Sequence, residues 1–354
     1  MSSTASLAVI APPAVVGALP APYLLFLGDV TEAGYAKTAF GLRDWAGERC
    51  IGEWALAGAT VTTGLPPLAP AVAVERGARA LVIGVASPGG VIPASWLGAL
   101  HDALESGLDI VSGMHSRLAD LPGLAAAAER HGRRLYDVRT PPADLPVGTG
   151  ARRPGKRLLT VGTDCALGKK YTALALARDF AARGVDATFR ATGQTGIMIA
   201  GEGMPIDAVV ADFIAGAAEQ LSPSAAPDHW DVIEGQGSLF HPAYAGVSLG
   251  LLHGSQPDVF VVCHEPGRRE VLGAPGYLLP SIEEVVELTI ALGRRTNPGI
   301  RCGGIAYNTS NLSEPEAVRL MAEDGSRLGL PIADPIRRGP AFDTLVDSCR
   351  GPRP

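Results

Sequence analysis

Arg157-Leu-Leu-Thr-Val-Gly-Thr-Asp-Cys-Ala-Leu-Gly-Lys-Lys-Tyr171 decides the fold of the second half of this chain. Arg157 to Val161 reads as a buried strand, a glycine loop follows, and a helical pattern runs from Tyr171 to Arg183. A strand, a glycine loop, Gly-Lys and a helix together bind phosphate. Amides in the loop and at the helix start point at the anion, and the lysine adds a mobile positive charge. The candidate phosphate-binding residues are therefore Gly162, Thr163, Asp164, Cys165, Ala166, Leu167, Gly168, Lys169, Lys170 and Tyr171. The common spacing is GxxxxGK[ST], and this loop departs from it twice. Gly162 lies one residue early, so Thr163 takes the first glycine position. Lys170 stands where a Ser or Thr would hold Mg²⁺, although Thr172 is close. A second cation at that position argues against ordinary Mg-nucleotide hydrolysis and suits a polyphosphate neutralised by lysines.

Outward from the loop, residues 139–156 are rich in Pro, Gly and Arg and read as a linker. They separate a domain over 22–140 from one over 157–354, with 141–156 between them. A chain of 354 residues fits two domains. In the first, Tyr23–Val30, Ala80–Ala86 and Leu108–Ser112 read as strands, the second followed by Ser87-Pro-Gly-Gly90. Trp96–Ser106 and Leu124–His131 read as helices. Alternating strands and helices imply a parallel sheet, so this is a Rossmann-like unit, though without GxGxxG after its first strand. The second half continues with strands at Val232-Ile233, Val259–Cys263 and Gly304–Tyr307, and helices at Ser281–Arg294 and Glu314–Leu328. The expected fold is α/β: a Rossmann-like domain followed by a P-loop NTPase-like parallel-sheet domain.

Composition narrows the function classes. The chain is 47% hydrophobic and 19% charged with a net charge of −6, so it can bury a large core and carries no basic stripe for nucleic acid. No apolar run reaches membrane-spanning length. Residues 1–21 are Pro/Ala-rich and read as a flexible lead-in. No Lys or Arg precedes Lys37, so the charged start of a secretion signal is missing. The five cysteines are scattered without a CxxC pair, which suits a reducing cytoplasm and neither zinc nor a disulfide framework.

Three further constellations carry chemistry. Glu234, in His229-Trp-Asp-Val-Ile-Glu-Gly-Gln-Gly-Ser238, follows a strand at the edge where open α/β sheets bind ligands. It reads as a general base or outer metal ligand, or else as a carboxylate capping nearby amides. Arg190-Ala-Thr-Gly-Gln-Thr-Gly196 has two glycines for close backbone approach. Its Arg190, Thr192, Gln194 and Thr195 suit a carboxylate or phosphate, with an ordinary polar loop as the plainer reading. Asn308, after a strand, suits an adenine edge or a turn. Asp212 and Asp207 fall on a helical stretch. His241, His253 and His264 fit no metal spacing and read as hydrogen-bonded structural residues, so no metal site is assigned.

The loop Gly162–Lys169 and Ile233-Glu-Gly-Gln-Gly237 resemble the paired loops of dethiobiotin synthetase-like P-loop proteins, which share the displaced glycine. A narrower resemblance covers Tyr23 to about Arg338. It rests on Tyr35-Ala-Lys-Thr38, Gly84-Val-Ala86 with Gly89-Gly90, Ser112-Gly-Met-His115, Ala191-Thr-Gly-Gln-Thr-Gly-Ile197, Glu234-Gly-Gln-Gly-Ser238, Gly250-Leu-Leu-His-Gly254 and Asn308-Thr309. In these the chain is similar to the D-glutamate N-acetyltransferase family, long catalogued as a domain of unknown function. The resemblance implies acetyl-CoA as co-substrate and transfer to the α-amine of D-glutamate as the first step of its catabolism. On that reading the loop and its two lysines hold the CoA phosphates and Asn308 meets adenine. Arg190, Lys37 or Arg117 would meet the acceptor carboxylates. Glu234 is the first candidate base, with Asp212 and His115 behind it, and amides around Gln236 would meet the developing oxyanion. A homodimer is expected, and a role for Mg²⁺ stays open. The rivals are a Mg-ATP-dependent ligase or kinase of the dethiobiotin synthetase type, and a nucleotide- or CoA-sensing binding protein.

Overall fold

The computed structural model describes residues 18–86 and 90–351. Residues 87–89, and with them most of the Ser87–Gly90 turn, lie outside the described residues, as does the lead-in over 1–17. Leu19, near the lead-in's end, is buried and its N–H donates to the Gly201 carbonyl at 2.8 Å, which ties this stretch to the second domain.

The first domain is a five-stranded parallel sheet in the order β2 (Cys50–Ala55), β1 (Tyr23–Gly28), β3 (Ala80–Ile83), β4 (Asp109–Ser112), β5 (Leu135–Asp137). Every residue of β1 is buried, as expected of a central strand covered on both faces. Helices α1 (Lys37–Trp45), α2 (Pro70–Glu75), α3 (Leu97–Glu105) and α4 (Leu124–Arg130) connect the strands. The strand order reverses between β1 and β3, and the loop after β1 leads into α1, so Lys37 starts a helix beside that switch point.

The second domain is a six-stranded parallel sheet in the order β11 (Ile332–Ala333), β10 (Arg301–Tyr307), β9 (Val259–His264), β6 (Lys156–Gly162), β8 (Trp230–Ile233), β7 (Ala187–Arg190). Its helices are α5 (Lys169–Ala182), α6 (Gln194–Ala200), α7 (Ile214–Leu221), α8 (Ala245–Ser255), α9 (Ile282–Gly293), α10 (Glu314–Leu328) and α11 (Pro340–Arg350). The first strand, β6, lies between β8 and β9, so the chain winds away from it in both directions. The crevice this creates opens at the C-terminal end of β6, where the glycine loop begins. Capping boxes start α9 and α10: Ser281 pairs with Glu284, and Ser313 with Glu316.

The stretch between the sheets is neither helix nor strand from 138 to 155, yet it is pinned. Thr149 and Gly150 amides donate to Glu219 at 2.9 Å, and Arg153 donates to Ser222 and Gly254 carbonyls at 3.0 and 2.8 Å. The two sheets also share a core. Leu174, Ala191, Ile197, Met198 and Ile199 of the second domain join the apolar cluster of the first. No helix among the described residues is long and apolar enough to cross a membrane.

Candidate active site

The phosphate loop leaves β6 at Gly162 and enters α5 at Lys169. Ala166 and Gly168 both hold positive φ, at 54° and 101°, which turns successive amides toward one side. Among the described residues, no amide from Asp164 to Gly168 finds an acceptor, and α5 has no side-chain cap. A helix start adds its own unpaired amides and the positive end of its dipole. Buried Lys169 donates to the Asp164 carbonyl at 2.7 Å, and burial lowers its pKa. Desolvation lowers that of Lys170 as well, with Glu234 opposing.

Glu234 emerges from the C-terminal end of β8 and is buried. Its Oε2 accepts the amides of Thr192 and Gly193 at 2.9 and 3.1 Å, while Oε1 accepts no hydrogen bond among the described residues. Burial raises its pKa, and Lys170 and the two amides pull the other way. Gly196 explains the close seat: a Cβ there would stand 2.2 Å from Glu234 Oε2. The Ala191–Gly196 string is thus a cradle for this carboxylate. The amide of Gly235 donates to Thr160, whereas those of Gln236 and Gly237 have no acceptor among the described residues.

These groups line one cavity of about 500 Å³. It is bounded by residues 165–171, Gly193, Gln194, Thr195, Glu234, Gln236, Gly237 and Asn308, with Lys37 reaching in from the first domain. The other sequence candidates lie elsewhere or are occupied. Arg190 Nε donates to buried Asp231 at 2.6 Å and is committed to that ion pair. Thr192 Oγ1 donates to the Glu234 carbonyl at 2.7 Å and accepts from Gln236, a supporting position. Thr195 meets Thr38 across the domain boundary at 3.0 Å. Asp212 is exposed in a short turn before α7. His115 and Arg117 are exposed on the first domain, and none of the three lines the cavity.

The loop does not fit the magnesium site of an ordinary P-loop NTPase. Lys170 holds the usual hydroxyl position, and Thr172 is buried with its Oγ1 accepting from Cys263 Sγ at 3.4 Å, facing β9 instead of the loop. Asp164 is also turned away, accepting the Leu272 amide at 2.8 Å and Arg268 at 3.1 Å. Asp164, Cys165 and His241 bring donor atoms within 4.8 Å of one another, a grouping no linear spacing reveals. His241 is nevertheless wired into the protein: Nδ1 accepts the Ala243 amide at 3.1 Å and Nε2 lies 3.4 Å from the Leu272 carbonyl. His253 and His264 are likewise hydrogen-bonded, to the Leu292 carbonyl and Thr163 Oγ1.

Fold and site define a two-domain parallel α/β protein with a phosphate loop that carries lysine in place of the metal-binding hydroxyl. Residues 49–141 match the Rossmann-like domain of unknown function DUF1611_N, and residues 146–346 match the P-loop domain DUF1611_C. The chain belongs to the DUF1611 family. It is 50% identical over 327 residues to a D-glutamate N-acetyltransferase of Tritonibacter scottomollicae, covering 92% of this chain and 98% of that one. It is 48% identical over 325 residues to a protein of the same name from a Pseudoalteromonas species, covering 92% and 97%. The crystal structure of a DUF1611 family protein from Anabaena variabilis superposes with a TM-score of 0.82 at 34% identity, over 93% of this chain and 99% of that one.

Proposed function

We propose that this protein transfers the acetyl group of acetyl-CoA to the α-amine of D-glutamate. The observation that carries this reading is the cavity's composition. A row of unpaired amides and two lysines, without a magnesium hydroxyl, shares one space with a buried carboxylate that has a free oxygen. The loop amides, Lys169 and Lys170 hold the CoA pyrophosphate, and the thioester lies toward Glu234. Lys37 and Gln194 meet acceptor carboxylates from the first-domain side. Glu234 Oε1 takes a proton from the acceptor ammonium, and the freed amine attacks the thioester carbonyl. The amides of Gln236 and Gly237 meet the oxyanion; on its collapse the nitrogen's second proton goes to the departing sulfur, so CoA leaves as the thiol, and Glu234 returns its proton to water. The names of the two relatives at about half identity point to the same acceptor. The same reading places the protein in the cytoplasm, as a homodimer, at the entry to D-glutamate breakdown.

The test is to offer purified protein acetyl-CoA with a panel of D- and L-amino acids and to identify products by mass spectrometry. N-acetyl-D-glutamate is expected, with L-glutamate a much poorer acceptor. Acetylation of another amine with D-glutamate untouched would overturn the acceptor.

A further inference from the structure

A second cavity, of about 490 Å³, adjoins the phosphate loop and shares Tyr171 with it. Three segments wall it: the end of α1 (Asp44, Trp45), one face of α5 (Tyr171, Arg178) and the turn after β11 (Pro335, Ile336, Arg338). Tyr171 and Arg178 are seven residues apart, so they share a helix face. Trp45 stacks on Tyr171 with centroids 5.9 Å apart and planes at 24°, and Arg178 lies over Trp45 at 4.3 Å. The aromatic wall is thereby held in place. The opposite wall is apolar and unusually open, since Ile336 is 62% exposed.

The turn that presents Ile336 is rigid. Asp334 Oδ1 accepts the amides of Ile336 and Arg337 at 2.8 and 3.2 Å, and the Arg338 amide donates to the Asp334 carbonyl at 3.0 Å. Arg338 holds φ at 59°, a costly conformation for a side-chain-bearing residue and one that concentrates at ligand sites. Arg178 and Arg338 have no carboxylate partner among the described residues, while the one acid in the cavity, Asp44, is paired with Arg43 at 2.6 Å. The cavity therefore offers an apolar slot at a size suited to a nucleoside, with two guanidinium groups that lack a carboxylate, Arg178 donating to the Trp45 carbonyl and Arg338 lying over Phe342 at 5.9 Å.

We infer that this second cavity, and not Asn308, whose Oδ1 accepts the Ser310 amide at 3.2 Å in a turn, takes the adenosine 3′-phosphate end of acetyl-CoA, with the ring between the Trp45–Tyr171 wall and Ile336 and the 3′-phosphate on Arg178 and Arg338. The inference rests on the acetyl-CoA reading above and adds the source of its selectivity. The loop amides are used by the pyrophosphate, so the third phosphate needs cations of its own. A nucleoside triphosphate carries no 3′-phosphate to offer them.

The experiment is calorimetric titration of the full-length protein with CoA and with 3′-dephospho-CoA. Charge-assisted pairing predicts at least about tenfold tighter binding of CoA. Arg338→Gln lowers that ratio while 3′-dephospho-CoA binds as before, and Arg178→Gln with Arg338→Gln brings the ratio near one. Arg178 also supports Trp45, so Arg338→Gln alone, on an exposed turn, decides the matter if the double variant does not fold. Equal binding of both ligands by wild type, or an unchanged ratio in Arg338→Gln, overturns the 3′-phosphate assignment and leaves acetyl transfer standing. Binding of neither ligand overturns the acetyl-CoA reading and this inference with it.

Discussion

In the proposed reaction Glu234 is the base, and its burial bears on both activity and stability. Its pKa is raised from 4.5 because burial outweighs Lys170 and two amide donors. A base must be deprotonated to act, so kcat/KM should fall on the acid side at a pH above the ordinary carboxylate range. Glu234→Gln should cost roughly 100-fold or more in kcat and remove that acid limb. Near-wild-type turnover in a folded variant would reassign the base. For stability, a raised folded pKa means the contribution is fully present below 4.5 and lost as pH climbs through the folded value. Glutamine escapes that loss. The melting temperature of Glu234→Gln relative to wild type should therefore rise between pH 4.5 and neutrality, and a difference that stays constant over that range would contradict the raised pKa.

At the level of elements, the phosphate loop and the Ala191–Gly196 cradle make separate predictions. Lys169→Ala should raise the acetyl-CoA KM with the smaller effect on kcat, and steady-state kinetics with acetyl-CoA varied would show it. Gly196→Ala places a methyl 2.2 Å from Glu234 Oε2. Overpacking of this kind costs about 1–3 kcal/mol, and the displaced carboxylate should take most of kcat with it. A fully active, equally stable Gly196→Ala protein would show that the seat is not needed. The loop was legible because strand, glycines and lysine are contiguous in the chain. Elements whose meaning comes from contact were not. The helix α6 hides because it opens on Gln194-Thr-Gly196, a polar, glycine-bearing start that masks the buried Ile197–Ile199 that follows. The helix α1 hides behind Gly41, which breaks the apolar period because Thr195 packs against it. Arg190 reads as an anion binder until Asp231, 41 residues away, is seen to hold it.

At the scale of the whole molecule, two domains were legible from length and from the Pro/Gly/Arg-rich stretch between them, but their fusion was not. The core of the first domain takes in α6 side chains of the second. Arg49 donates to the Ile199 carbonyl at 3.2 Å, and Arg139 bridges to Gln194 and Asp207 at 3.1 and 2.9 Å. Such coupling predicts a single calorimetric unfolding transition, whereas two well-separated transitions would mean that the domains are joined only by their linker. Joining matters because Lys37 and the loop lysines line one cavity only while the two sheets stay docked. The reaction proposed for that cavity consumes no nucleotide. The decisive measurement follows free CoA thiol and N-acetyl-D-glutamate in one time course, with a chelator present and no ATP. Equal amounts of the two, rising together, are predicted. Product that appears only with Mg-ATP, together with ADP, would contradict acetyl transfer and make the protein a ligase.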